Sequence, residues 1–283
     1  MIKINISFIG AGKVGFSLGK YFAIKNHNVV GFYSSSLASS KEAADFIGCS
    51  AFNSLEELVS CSDFIFITTN DVNIPSVWNL LKQFNLQEKI ICHCSGSISS
   101  RIFSQENNSS IYTFSLHPMY AFSNKYESYK NLQNAYFSIE GNNPKLNTVK
   151  EFIESLGNKT ICIESDHKEL YHLCNVIVSN LVLSLIDIGA SLLTDCTVPY
   201  NDAINALMPL INNNINNIES FSPKYALTGP IERNDLKTIE SHLKVIPLEY
   251  SSLYKDLSMN LVKLSKEKNA SKDYSNISYL LQN

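Results

Sequence analysis

Three groups of residues in this 283-residue chain have types and spacings that can do chemistry. The first is Gly10-Ala11-Gly12-Lys13-Val14-Gly15, a G-x-G-x-x-G run directly after a β-rich stretch and directly before a helical one. In such a run Gly10 permits a tight turn and Gly12 lets the backbone approach a pyrophosphate. Gly15 lets the following helix pack closely while its N-terminus faces the anion. In this context the run predicts dinucleotide binding, against the alternative of a structural turn in an empty α/β domain. The second group is Lys168, His172, Asn175 and Ser179, at i, i+4, i+7 and i+11 of an apolar helical stretch, which makes one polar stripe along a helix. Reducing a ketone takes a hydride from a nicotinamide and a proton for the developing alkoxide, and a Lys or His can supply that proton. The third group is scattered: His117-Pro118 after a strand, and Arg233 and Asp235 after the turn at Gly229-Pro230.

Each residue carries a functional and a structural reading. Lys168 serves as general acid with His172 as substrate orienter or proton relay, or the two roles are reversed, or Lys168 is exposed and His172 is a core histidine. Asn175, Ser179 and Asn180 can bind a substrate carbonyl or hydroxyl or the carboxamide of the cofactor; they can equally make hydrogen bonds within helix packing. His117 either lines the nicotinamide or substrate pocket or anchors its loop, since X-Pro fixes an extended backbone. Arg233 offers a fork suited to a carboxylate, or brackets the turn with Asp235, which can also cap the next helix. The dinucleotide is read from the end of the second strand, where an NAD site presents an acidic residue to the ribose. Tyr33-Ser34-Ser35-Ser36, followed by Ser39, Ser40 and Lys41, has no carboxylate to repel a 2′-phosphate, which favours NADP(H) over a merely Ser-rich loop. Thr68-Thr69-Asn70-Asp71 and Ser95-Gly96 end further strands and so fall at the ligand-binding edge of the sheet.

The elements that must position these residues alternate through the first half. Strands are predicted at 4–9, 29–33, 50–53, 63–69, 89–94, 111–116, 135–140 and 160–164, with helices through about 25 and over 41–47, 54–59, 74–84 and 144–156. Repeated βα units imply a doubly wound, parallel α/β domain over 1–164. From Asp166, a candidate N-cap with Glu169 three residues on, the pattern turns all-helical: one long helix to about 193, then 199–218, 235–246 and 247–266. Residues 165–283 are therefore expected to form a second, all-helical domain, read as the substrate and dimerisation domain. Asn212 to Asn214 reads as solvated helix surface, and the tail after Lys268 as poorly ordered.

Composition narrows the class. A net charge of -3 gives no bulk attraction for nucleic acid or an anionic membrane. The apolar stretch 176–193 is interrupted by Ser179, Asn180, Ser184 and Asp187, and reads as a buried helix of a soluble protein. No export signal is evident, and seven cysteines without a pairing rhythm point to reduced thiols in a cytoplasmic protein. In Cys92-His93-Cys94 alternation puts the two thiols on one strand face and the imidazole on the other, so no metal site is expected there; the cysteines read as core residues.

The glycine turn, Cys94-Ser95-Gly96, Ser115-Leu116-His117-Pro118-Met119, the 168–180 segment and Leu227-Thr228-Gly229-Pro230-Ile231-Glu232-Arg233-Asn234-Asp235 together resemble a bacterial family of NADP-dependent oxidoreductases. Its members join a Rossmann-like domain to a helical domain of the 6-phosphogluconate dehydrogenase-like type, near ketopantoate and pyrroline-5-carboxylate reductases. The resemblance covers nearly the whole chain. It implies NADP as cofactor, a homodimer through the helical half and a small anionic substrate, with ketopantoate reduction to pantoate as one activity in the family. Related reductases use a Lys-x-x-x-Asn pair on the equivalent helix, with Lys as the acid; here Lys168-x-x-x-His172 keeps the Lys and changes its partner.

Overall fold

The computed structural model describes residues 4–103, 110–141 and 143–282. Eight strands among them, β1 (Asn5–Ile9), β2 (Asn28–Tyr33), β3 (Ser50–Ala51), β4 (Phe64–Ile67), β5 (Ile90–His93), β6 (Tyr112–Pro118), β7 (Tyr136–Glu140) and β8 (Lys159–Cys162), form one sheet in the order β3-β2-β1-β4-β5-β6-β7-β8. Helices α1 (Lys13–Ile24), α2 (Leu37–Ile47), α3 (Leu55–Cys61), α4 (Ile74–Leu81) and α5 (Leu146–Ser155) alternate with the strands. This is a Rossmann-like doubly wound sheet. The order reverses between β1 and β4, which places the turn after β1 at the switch point where such folds open a crevice.

Pairing is parallel throughout except at β6 and β7, which run antiparallel. The sheet is therefore mixed rather than purely parallel, because the 119–134 connection holds only a short 3-10 turn and no crossover helix. The two faces pack differently. One is an aromatic layer in which Phe8 stacks on its register partners Phe32 and Phe66, with ring centroids at 4.9 and 5.2 Å, beneath Phe16 and Phe22 of α1 and Phe152 of α5. The other is aliphatic over β1, β4 and β5, with Ile9, Ile65, Ile67 and Ile91 under Leu58 of α3 and Trp78 of α4.

That second face changes character across the sheet. His93 pairs in register with Ser115, and Ser115 with Glu140, while His117 pairs with Ser138. Because side chains alternate, all five lie on the aliphatic side, so β6 and β7 present a polar surface there. Lys168 and Tyr171, both buried, belong to the helix that follows, α6 (Lys168–Val178).

The predicted long helix from 166 is broken. Ser165–His167 is a single 3-10 turn, and Ser179, with φ −117° and ψ −72°, separates α6 from α7 (Asn180–Asp195). Asp166 does not cap: its carboxylate pairs with Arg101 at 2.6 Å, and His167 stands at the N-cap with no side-chain bond. The last strand ends at Cys162, close to the expected change at 164, yet the first compact unit runs through Val182 and the second is Leu183–Asn283.

The second unit contains most of α7, α8 (Tyr200–Ala226), α9 (Pro230–Arg233), α10 (Leu236–Val245), α11 (Leu248–Lys268) and α12 (Ser275–Gln282). A positive φ at Ser222, just before Pro223, kinks α8, which also carries Pro209 within it, and Asn212 to Asn214 are exposed on it. The tail is ordered, contrary to expectation. Ile277 and Leu281 of α12 and the preceding Tyr274 are buried with Ile231, Ile239 and Val262, so the tail completes this unit's core. Two other expectations also fail. Cys61, Cys162, Cys174 and Cys196 are exposed rather than buried, lying at the end of α3, at the end of β8, on α6 and in the turn after α7. The apolar helix is not buried either. Ser165–Asp195 contains an 18-residue window of mean hydropathy 2.1, long and apolar enough to cross a membrane by length and composition, with 6% of it buried within the chain.

Candidate active site

The glycine turn adopts the conformation its sequence predicts. Gly10 has φ +106°, and a Cβ there would stand 2.9 Å from the carbonyl carbon of Thr68, so only glycine fits. Its N–H donates to the Tyr33 carbonyl at 2.8 Å, fixing the turn against β2. A Cβ on Gly15 would overlap Thr68 Oγ1 and the Gly10 carbonyl oxygen. Thr68 Oγ1 closes this contact by donating to that carbonyl at 2.8 Å. Gly12 is different: nothing lies within 4 Å of its missing Cβ, and it starts α1 with no side-chain cap. The backbone there is open to a ligand.

A cleft of about 420 Å³ lies over this turn, lined by Gly12, Lys13 and Val14, by Thr68, Thr69, Asn70 and Asp71, by Cys94 and Ser95, and by Phe122. Thr69 Oγ1 is buried without a hydrogen-bond partner. An open glycine at a helix N-terminus and an orphaned hydroxyl in the cleft wall fit a dinucleotide. Ala11 packs partly against the aromatic layer instead of lining the cleft. At the end of β2, Ser36 caps α2 by accepting from the Ser39 N–H at 3.4 Å, and Ser34 accepts from the Ser36 N–H at 3.4 Å. Lys41 sits exposed on α2, whereas Ser40 turns inward and donates to the Leu37 carbonyl at 3.0 Å, which removes it as a ligand-binding hydroxyl. Asp71 accepts from Ser95 and Ser97 hydroxyls, both at 2.8 Å, joining the exits of β4 and β5.

Beside that edge stands the polar surface of β6 and β7. Lys168, 2% exposed, donates from Nζ to Ser115 Oγ at 2.7 Å, and Ser115 donates to the Ser95 carbonyl at 3.2 Å. Burial pulls the Lys168 amine down to about 8, against the opposing pull of Glu140, Cys94 and Asp71. The reading of Lys168 as an exposed first-turn residue is thereby excluded. His117 Nδ1 is 2.6 Å from the Tyr171 hydroxyl, and burial, with Lys168 adding to it, pushes the imidazole down to about 4. A Cβ on Gly96 would lie 2.9 Å from His117 Nε2 and 3.2 Å from His172 Cδ2. Both histidines thus converge on Gly96, where a larger residue would press on both rings. His93, also pushed down to about 4 by burial, packs on Phe103 with ring centroids at 5.2 Å. Lys168 is therefore a proton-holding group poised near neutrality beside His93 and His117, both held neutral by burial, the state a general acid needs.

Other candidates are engaged in local bonds. Asn175 donates to the Tyr171 carbonyl at 2.8 Å and Ser179 donates to the Asn175 carbonyl at 2.6 Å, so this part of the stripe bonds back to its own helix, with Asn180 Oδ1 3.1 Å from the same hydroxyl at the start of α7. In the second unit Asp235 caps α10, accepting from the Thr238 N–H at 3.2 Å and hydroxyl at 2.7 Å. Arg233 is exposed and in no ion pair among the described residues, so the proposed bracket with Asp235 is not formed. Ser115, Tyr171, His93 and Glu140 escaped the sequence reading as site residues. For Ser115 and His93 a signal was present, since both stand on strands that end at the ligand edge.

Residues 5–96 match the family described as NADP oxidoreductase coenzyme F420-dependent. NADP is the cofactor of that domain type, and the cleft over the glycine turn fits it. Residues 135–261, from β7 into α11, match a domain of unknown function, DUF2520. Solved structures share the fold of the whole chain. Protein TM1727 from Thermotoga maritima is 26% identical, with 94% of this chain and 98% of that one covered and a TM-score of 0.69. 1-Pyrroline-5-carboxylate reductase from Streptococcus pyogenes is 17% identical over 94% and 98%, with a TM-score of 0.65. Plasmodium falciparum pyrroline carboxylate reductase, solved with NADP bound, is 15% identical over 95% and 98%, with a TM-score of 0.64. No curated protein is significantly similar in sequence.

Proposed function

We propose that this protein is an NADPH-dependent reductase of a small 2-oxo acid, with ketopantoate, reduced to pantoate, as the leading substrate. The observation that carries the reading is the buried Lys168 amine, held near 8 by burial and bonded to Ser115 at the ligand edge of the sheet. Ketone reduction adds a hydride to carbon and a proton to oxygen, so an acid that gives up its proton near neutral pH contributes directly. An iminium substrate already carries that proton and needs no such donor, which favours a C=O over the C=N of the pyrroline and imine reductases that share this fold.

When bound over the oxidoreductase domain's glycine turn, NADPH supplies the hydride. Gly10, Gly12 and Gly15, with Lys13, Val14, Thr68 to Asp71, Ser95 and Gly96, would hold its pyrophosphate and nicotinamide side. Tyr33 to Ser36 and Lys41 would hold its adenosine ribose and 2′-phosphate. Lys168 holds the proton destined for the substrate oxygen. His172 and His117, meeting at Gly96, orient the carbonyl, and Arg233 is the proposed partner of the substrate carboxylate. The exposed apolar residues Leu173, Ile177, Val178, Leu181 and Leu183 are proposed to be covered by a second copy of the chain, since a patch of that kind is unfavourable in water.

A panel of 2-oxo acids and cyclic imines, scored by NADPH oxidation, tests the assignment. Turnover of ketopantoate with none of pyrroline-5-carboxylate is the expected outcome. Turnover of imines alone would move the assignment to C=N reduction, and tight NADPH binding without turnover of any carbonyl or imine would replace an enzyme with a cofactor sensor.

A further inference from the structure

Glu140, at the end of β7, is fully buried and belongs to no part of the glycine turn or the helical stripe. It stands opposite Ser115 in the antiparallel β6/β7 pair, so the two side chains share a face with Cβ atoms about 5 Å apart. Ser115 is the residue on which Lys168 Nζ rests, at 2.7 Å. The carboxylate accepts from Ser99 Oγ at 3.2 Å, from Ser100 Oγ at 2.8 Å, from the Ser100 N–H at 2.6 Å and from the Ser165 hydroxyl. Those donors come from two separate places: Ser99 and Ser100 follow β5, and Ser165 opens the turn leading into α6. One carboxylate thus ties the exit of β5, the end of β7 and the entry of α6 together.

All four donors are neutral. They satisfy the hydrogen-bonding capacity of Glu140 but not its charge, and a buried charge without a counter-charge is costly; of the two cations that interact with it, Arg101 is exposed and paired with Asp166, and Lys168 is buried. We propose that Glu140 is a positioning residue of this site, the buried counter-charge that holds the Lys168 ammonium beside Ser115 and keeps it loaded with its proton. The catalytic consequence rests on the reading of Lys168 as proton donor, while the pairing itself does not. Burial pushes the Glu140 carboxyl up, but the bonds from Ser165 and Ser100 and the Lys168 charge outweigh it and hold it below the usual carboxylate range. Lys168 is in turn pulled down by burial, with Glu140 first among the groups that resist. The other titratable groups facing Lys168 are Asp71 beyond β4, Cys94 beyond β5, His93 and His117 on the strands, and Tyr171 on α6 itself, while His172 on α6 faces His117. Of the two carboxylates, Asp71 is exposed and engaged by Ser95 and Ser97, which leaves Glu140 as the buried one.

The test is site-resolved titration by NMR of the full chain carrying 13C-labelled lysine, with the Lys168 Cε signal identified by its absence in Lys168→Met. In the wild type its midpoint is expected at about 8. In Glu140→Gln, which keeps size and removes charge, the midpoint is expected about one pH unit lower or more. An unchanged midpoint in a variant whose thermal unfolding is cooperative would overturn the proposal. Should that variant fail to fold, the reciprocal measurement decides: the Glu140 carboxyl signal in Lys168→Met must titrate at higher pH than in the wild type, and an unmoved signal overturns the pairing. Neither readout depends on turnover. Loss of coupling while Lys168→Met is inactive would sink this inference alone, and coupling with a fully active Lys168→Met would sink the proton-donor reading alone.

Discussion

Replacing Lys168 by Met removes the amine from its site while keeping the length and apolar stem of the side chain. Burial holds the amine at about 8, against 10.5 for an ordinary lysine. Below about pH 8 the folded and unfolded chains both hold the proton, so this group adds no slope to stability there. Between that midpoint and 10.5 the folded chain has released it and the unfolded chain has not. The unfolded state then binds more protons, and wild-type stability rises with pH by about 1.4 kcal/mol per unit from this group. Over the whole interval the gain is on the order of 3 kcal/mol, and Lys168→Met lacks it. The assay is urea unfolding from pH 7 to 10 followed by fluorescence of Trp78, the single tryptophan. Trp78 lies buried on α4 against Phe103, with ring centroids at 5.1 Å, so it reports the unit that contains Lys168. Titrating groups that do not interact with Lys168 are common to both proteins and cancel in the difference. Expected is a difference that moves towards the wild type as pH rises above 8. Parallel stability curves, or a difference that moves towards the variant, would show that Lys168 is not the buried, depressed amine on which the mechanism depends.

Gly15→Ala places a methyl against the Gly10 carbonyl and Thr68 Oγ1, a backbone contact that cannot relax cheaply. A stability loss of about 1–3 kcal/mol in urea unfolding and at least a ~10-fold weaker NADPH affinity by fluorescence titration are expected; wild-type affinity would contradict the turn's role. Lys41→Glu is expected to lower the NADPH-to-NADH affinity ratio about tenfold while leaving NADH binding unchanged, because only one of the two ligands carries a 2′-phosphate. Light scattering is expected to give twice the chain mass of 31.7 kDa for the wild type and the single mass for Val178→Asp with Leu181→Asp; a monomeric wild type would remove the proposed dimer.

The glycine turn and the strand succession were legible in the sequence because each depends on residues adjacent in the chain. Gly10, Gly12 and Gly15 have three distinct surroundings, and each matches the requirement read from its place in the run. What was not legible depends on partners far apart. Strand residues carry no mark of direction, and the antiparallel β7 follows from a short connection rather than from its own sequence. Glu140 reads as an ordinary polar strand end until Ser99, Ser100 and Ser165 are brought around it. Asp166 has the look of a cap, but its partner Arg101 is remote in sequence and takes the carboxylate first. Apolar continuity hid the break at Ser179, whose hydroxyl bonds back to Asn175. The tail after Lys268 did carry a signal, Ile277 and Leu281 at helical spacing, masked by the polar residues that precede them.

In the proposed reaction Lys168 gives the proton while NADPH is consumed in reducing a 2-oxo acid. Steady-state NADPH oxidation with ketopantoate, measured from pH 6.5 to 9.5 for the wild type and Lys168→Met, tests it most directly. The wild-type rate is expected to be level below about pH 8 and to fall about tenfold per unit above it, with the variant 10²–10⁴-fold slower (about the contribution of one general acid) and without that alkaline limb. A wild type that leaves NADPH unconsumed by ketopantoate, or a Lys168→Met variant with the wild-type rate and pH profile, would contradict it.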